Sequence, residues 1–194
     1  MGTTSAISCD VIRGDLFRPY FGLPLAPDEL EDIVRSLAPS HAEVGRRWDE
    51  EEQVFCVDWR HGRISYTAGL YKGELTFVNI GLTGVHAMDA APIPVARAIE
   101  CLGAPSQVQA WYDAYPYLGF ASLHCALAFI PQRAIAFAVR NYSSAPEASP
   151  ALDSSLPLSL IAIFGEQWAR EQRVFAKSEP WPGDWAAVQV QVSA

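Results

Sequence analysis

The sequence predicts an α+β protein built by internal duplication, each half a helix followed by three antiparallel strands, with the helices packed on a sheet. Three observations predict it. The phrase AIECLGAPSQV at 98–108 echoes IVRSLAPSHAEV at 33–44. A strand–turn–strand pattern follows each phrase, VFCVDWRHGRISY at 54–66 and CALAFIPQRAIAF at 125–137. A third apolar run closes each half, LTFVNIGL at 75–82 and LSLIAIFG at 158–165. Four elements recurring in one order set the repeats at about 27–82 and 95–165, inside one compact domain spanning 1–194.

The first helix opens at Pro27. Asp28, Glu29, Glu31 and Asp32 crowd its start, where the helix dipole favours negative charge. Leu30, Ile33, Val34 and Leu37 form the i, i+3, i+4, i+7 stripe of a helix lying on a core. Pro39 ends it. The second helix repeats the plan after Pro94, with Val95, Ala98, Ile99 and Leu102 as its stripe and Gly103 as its cap. In the first strand pair Arg60 to Arg63 make the turn, and Ile64 and Tyr66 share a face by period-two alternation. In the second pair Pro131-Gln132-Arg133 make the turn, and Ile135 and Phe137 take the alternating places.

The loops differ between halves. TAGLYKGE at 67–74 joins the second and third strands of half one, and SSAPEASPALDSS at 143–155 does so in half two. Between helix and first strand, half one has a short link containing GRRWDEEE at 45–52; half two has a longer loop containing WYDAYPYLGF at 111–120. Beyond the repeats, EQWAREQRVFAK at 166–177 is rich in helix formers. AVQVQV at 187–192 alternates strictly and reads as a last strand, with Val188, Val190 and Val192 facing in.

At 194 residues, 50% hydrophobic and 19% charged, the chain is apolar enough to fold. A net charge of −8 repels nucleic acid and anionic membranes at long range. No run approaches ~20 apolar residues, so no integral membrane segment is expected and the protein reads as soluble. The opening MGTTSAISC has neither the basic nor the apolar region of an intact signal peptide. The compartment reads as cytoplasmic from the sequence as it stands, and as exported if a leader was removed. Ala6-Ile7-Ser8-Cys9 is faintly similar to a lipoprotein cleavage box. Cys9, Cys56, Cys101 and Cys125 allow two disulfides in three connectivities, or serve as four buried small hydrophobes. If any bond forms, the expected pair includes Cys101 and Cys125.

The helix that ends Leu102-Gly103-Ala104-Pro105 before antiparallel strands resembles the tandem-repeat fold of β-lactamase inhibitor proteins. It is also similar to the related small outer-membrane assembly lipoproteins. The resemblance covers roughly residues 27 to 165. Half one departs from it: Leu37-Ala38-Pro39 lacks the glycine, and one helix per unit is legible where that family has two. The resemblance implies a protein-binding role, which fold alone does not establish.

For chemistry, the sequence has no GxSxG, no P-loop, no HExxH and no CxxC, so it marks no catalytic residue, metal ligand or cofactor site. His41, His61, His86 and His124 are scattered. His124 adjoins Cys125, but neighbours on a strand point to opposite faces and do not form a dyad. His86 and Asp89 share the crossover between halves. The stronger signal is aromatic: Trp111, Tyr112, Tyr115, Tyr117 and Phe120 crowd one loop stiffened by Pro116. They are candidate contacts for a partner protein or for a second copy. The same loop could instead plug the sheet, as Trp48 could in half one. The leading reading is therefore a non-enzymatic protein-binding or scaffolding module. The alternative is a small-molecule-binding protein with a pocket between helices and sheet. An enzyme without a recognisable motif comes third.

Overall fold

The computed structural model describes residues 8–38, 40–62, 64–82, 93–115, 120–129, 134–139, 152–171 and 176–192. Its first element is one that the periodicity does not announce. Helix α1 (Cys9–Arg13) is a single turn, started by the Ser8 hydroxyl, which accepts from the Val11 amide, and stopped by Gly14 in the left-handed region at φ 66°. Helix α2 (Pro27–Leu37) starts as expected at its proline, and the Glu29 carboxylate accepts from the Ala26 amide at 2.7 Å. Leu30 and Val34 are fully buried, while Ile33 and Leu37 flank them half-buried. Helix α3 (Val95–Leu102) buries Val95, Ala98, Cys101 and Leu102. The Gly103 amide donates to the Ile99 carbonyl at 2.8 Å with φ 84° at the glycine.

Each of the two long helices is followed by an antiparallel run of four strands, where three were expected. The first run is β1 (Glu43–Asp49), β2 (Val54–His61), β3 (Ile64–Tyr71) and β4 (Glu74–Gly81). The second is β5 (Gln107–Tyr115), β6 (Phe120–Phe129), β7 (Ala134–Val139) and β8 (Leu158–Phe164). The two runs join through β4 and β8, with Val78 opposite Ile163 and Ile80 opposite Ile161. Two short strands, β9 (Glu179–Pro180) and β10 (Val190–Val192), flank β5, the second in parallel. The resulting order is β1-β2-β3-β4-β8-β7-β6-β5-β10.

The extra strands fall where links were expected. In β1 the alternation of Val44, Arg46 and Trp48 against Gly45, Arg47 and Asp49 is hidden by charge. Arg46 is paired with Asp28 and Glu31 of α2, and Arg47 with Asp49 and Asp58, so an edge strand rich in arginine is tolerated. In half two, β5 and β6 consume most of the expected 111–120 loop. TAGLYKGE is not a loop either. Strand β3 runs through Tyr71, and Lys72 and Gly73 alone turn the chain, at φ 53° and 79°. Most of 143–155 lies outside the described residues.

Helices α1, α2 and α3 cover one face of the sheet. Ile12, Leu30, Val34 and Ala98 join Val57, Trp59, Ile80, Leu127 and Ile161 in one core. Helix α4 (Glu166–Glu171) begins where expected and lies on the other face, and residues 172–175 lie outside the described residues. There Trp168 packs over Val54 and Cys56, beside Tyr71, Phe77 and Phe164. Its expected partner in the stripe, Phe175, is outside the described residues. Cys101 is bonded to Cys9, and not to Cys125, which is a buried free thiol. The physical reason is that α1, unforeseen, lies against α3 and brings Cys9 to Cys101 with Cα atoms 5.1 Å apart. The Cys9 sulfur is thereby engaged, contrary to the lipoprotein-box similarity. No described helix is long and apolar enough to cross a membrane.

Candidate functional site

The sheet face opposite α1, α2 and α3 is built by alternation. On β2 Val57 and Trp59 enter the helical core, so Cys56, Asp58 and Arg60 belong to the other face. Register then assembles a polar row across adjacent strands. Asp58 sits opposite Thr67, and Thr67 opposite Asn79. The Thr67 hydroxyl donates to Asp58 Oδ1 at 2.6 Å. Arg47 Nε donates to Asp58 Oδ2 at 3.0 Å, and Arg47 Nη1 to Asp49 Oδ2 at 2.9 Å. The Glu52 backbone amide, and then Arg47, hold the Asp49 carboxyl below its ordinary range. Asn79 Oδ1 is buried and has no hydrogen-bond partner among the described residues.

Beyond Asn79 the open face turns apolar. Asn79 sits opposite Ala162, Phe77 opposite Phe164 and Gly81 opposite Leu160. Leu160 and Phe164 are half-buried. Gly81 keeps this surface low, since a Cβ there would strike the Ser65 hydroxyl. Helix α4 fills one corner through Trp168. At the far side Trp111 on β5 is half-buried and stacks on His124 of β6, with centroids 5.0 Å apart and planes 8° apart.

The expected aromatic residues are thus placed on strands for the most part. Trp111, Tyr112 and Tyr115 belong to β5, and Phe120 begins β6. Tyr115 and Phe120 are the last registered pair, so the stretch is a β-hairpin and not an open loop. Its tip, including Tyr117, lies outside the described residues. The alternation of Val108 and Ala110 into the core carries the strand on past Trp111. Trp48 does not plug the sheet: it stands on β1 at 54% exposed.

His124 and Cys125 point to opposite faces. The His124 ring stacks on Trp111, whereas Cys125 lies in the core. Burial pushes the Cys125 thiol up to about 12, so it stays protonated and poorly nucleophilic at neutral pH. His86 and Asp89 are outside the described residues. Among the described residues no group of three or more His, Cys, Asp or Glu side chains could hold a metal ion.

Sequence reasoning missed the row of Asp58, Thr67 and Asn79, because its members come from three separate runs and meet only through register. It also missed α1, although Ser8 and Gly14 bracket CDVIR with a capping residue on each side. A concavity on the helical side, between α1 and the sheet, is the second candidate site. The chain matches no protein-family model, no curated protein and no solved structure.

Proposed function

We propose that the chain is a non-enzymatic binding module that holds a partner protein against the open face of its sheet. The observation that carries this reading is the one-sided cover. Three helices lie on one face, while among the described residues the six-residue α4 alone lies on the other. The rest of that face combines half-buried apolar side chains, a stacked Trp111–His124 pair and a polar row in which Asp58 and Thr67 are hydrogen-bonded and Asn79 Oδ1 has no partner among the described residues. That mixture of aromatic, apolar and polar side chains is the composition of a protein interface. By register Trp111, Tyr115 and Phe120 share this face and are the proposed partner contacts at its far end; Tyr112 alternates with Trp111, and Tyr117, also proposed as a contact, lies outside the described residues.

We further propose that the two halves are copies. Three equivalences support it. The segment before each long helix makes an antiparallel bridge at the start of the fourth strand of its own half, Pro24 to Glu74 and Pro94 to Pro157. Each half carries a register shift between its third and fourth strands, at Gly69/Leu70 and at Phe137/Ala138. The halves meet fourth strand to fourth strand. This supports the similarity to the doubled β-lactamase inhibitor fold, and with it a protein partner. The disulfide favours an oxidising compartment.

The test is affinity capture from native extract with the wild type and with Tyr115→Ala/Tyr117→Ala. The reading expects weakened association with a nearly unchanged melting temperature. A double variant that melts far lower, or that captures every partner of the wild type, overturns the hairpin as a contact.

A further inference from the structure

On the opposite side of the sheet, a pocket of about 180 Å³ opens between α1 and the strands. Trp59, Tyr66 and Ile80 form its floor. They are consecutive register partners on β2, β3 and β4. Trp59 stacks on Tyr66 with centroids 4.9 Å apart and planes 7° apart, and Phe17 leans on Trp59 at 5.7 Å. Three electron-rich rings thus line one small space. The wall is α1, which contributes Asp10. His61 closes the lining at the end of β2, and no lysine or arginine lines the pocket.

We infer that this pocket binds a small organic cation, a compact alkylammonium or trimethylammonium head, held by the Trp59, Tyr66 and Phe17 rings with Asp10 as counter-charge. Three features favour a cation over a neutral apolar guest. Aromatic faces attract a desolvated cation through their quadrupoles. The single full charge in the lining is negative. The whole chain carries −8, which draws cations to it. Size agrees: an engineered cavity of about 150 Å³ takes benzene, so this one admits a head group of similar bulk. Burial raises the Tyr66 hydroxyl above its ordinary value, so the phenol stays neutral and its ring remains the recognition surface.

The wall is also held in place. Cys9, next to Asp10, is bonded to Cys101, and Arg13 Nε donates to the Cys101 carbonyl at 3.0 Å. Both anchors tie α1 to α3, so Asp10 is presented from a fixed turn. This site is on the helical side and does not depend on the sheet-face reading.

The experiment compares choline with its neutral carbon isostere, 3,3-dimethylbutan-1-ol, by calorimetry at matched ionic strength, with the Trp59 indole NMR signal as a second readout. Choline is expected to saturate, to shift the Trp59 signal and to bind at least about tenfold tighter than the isostere. Asp10 is exposed, so Asp10→Asn folds normally, and it is expected to weaken choline several-fold while leaving the isostere unchanged. Equal or tighter binding of the isostere, choline affinity indifferent to Asp10→Asn, or no saturable Trp59 shift would each overturn the inference.

Discussion

Cys9 is bonded to Cys101 across 92 residues of chain, and the bond fastens the single-turn α1 to the last turn of α3. Closing so long a loop restricts the unfolded chain strongly, by roughly 4–5 kcal/mol on a chain-entropy estimate. The Cys9→Ser/Cys101→Ser variant should therefore lose several kcal/mol in urea unfolding. Denatured, unreduced protein should titrate two thiols, Cys56 and Cys125, and four after reduction. Four thiols without reduction, or an unchanged midpoint, would remove the bond from the account.

Gly14 sits at φ 66° with Ile163 where a Cβ would go. An L side chain there meets both backbone strain and a clash. Gly14→Ala should cost about 2–4 kcal/mol, more than the usual exposed helix-cap change. Circular dichroism melts measure it. A loss under ~0.5 kcal/mol would show that α1 is free to shift.

Trp168 seals Cys56 from solvent on the open face. Trp168→Ala should destabilise by about 3–5 kcal/mol, as large aromatic truncations do. It should also make Cys56 react with an aromatic disulfide reagent in the native state, while Cys125 stays protected under the helices. Unchanged reactivity would mean that the sheet itself, without α4, shields the thiol.

Alkaline pH gives a separate handle. Folded Cys125 keeps its proton to about 12, against 9.0 for an ordinary thiol. The folded value is raised, so its contribution to stability is complete below about 9 and is lost as pH rises toward 12. Burial acts in the same direction on Cys56 and Tyr66. Urea midpoints measured from pH 8 to 11 should fall, and Cys125→Ala should flatten the decline. An identical slope in the variant would contradict the buried thiol as its source.

The two long helices were legible because an apolar stripe at helical spacing survives any loop. Leu30 and Val34, and Val95, Ala98 and Leu102, are buried as that stripe requires. Strands β2, β3, β4, β6, β7 and β8 were legible from alternation and turns. Strand β1 was not, because its arginines are neutralised by partners on α2 and β2 that sequence order does not reveal. Strand β5 was not, because its aromatic run reads as a loop until the Tyr115–Phe120 register is known. Disulfide pairing was closed to sequence reasoning for the same reason. Asp10, Trp59 and Tyr66 meet only once α1 has been pinned to α3.

The central claim is that a partner protein lies on the open sheet face. The most direct measurement places a photoreactive benzoylphenylalanine at Gln109, which shares that face with Trp111, and in a second variant at exposed Arg18 on the helical side. Both are irradiated in native extract and the adducts are read by mass spectrometry. The account predicts one discrete protein adduct from position 109 that is absent from position 18 and that Trp111→Ala diminishes. Adducts from position 18 alone, or none from position 109 when a partner is captured, would contradict it.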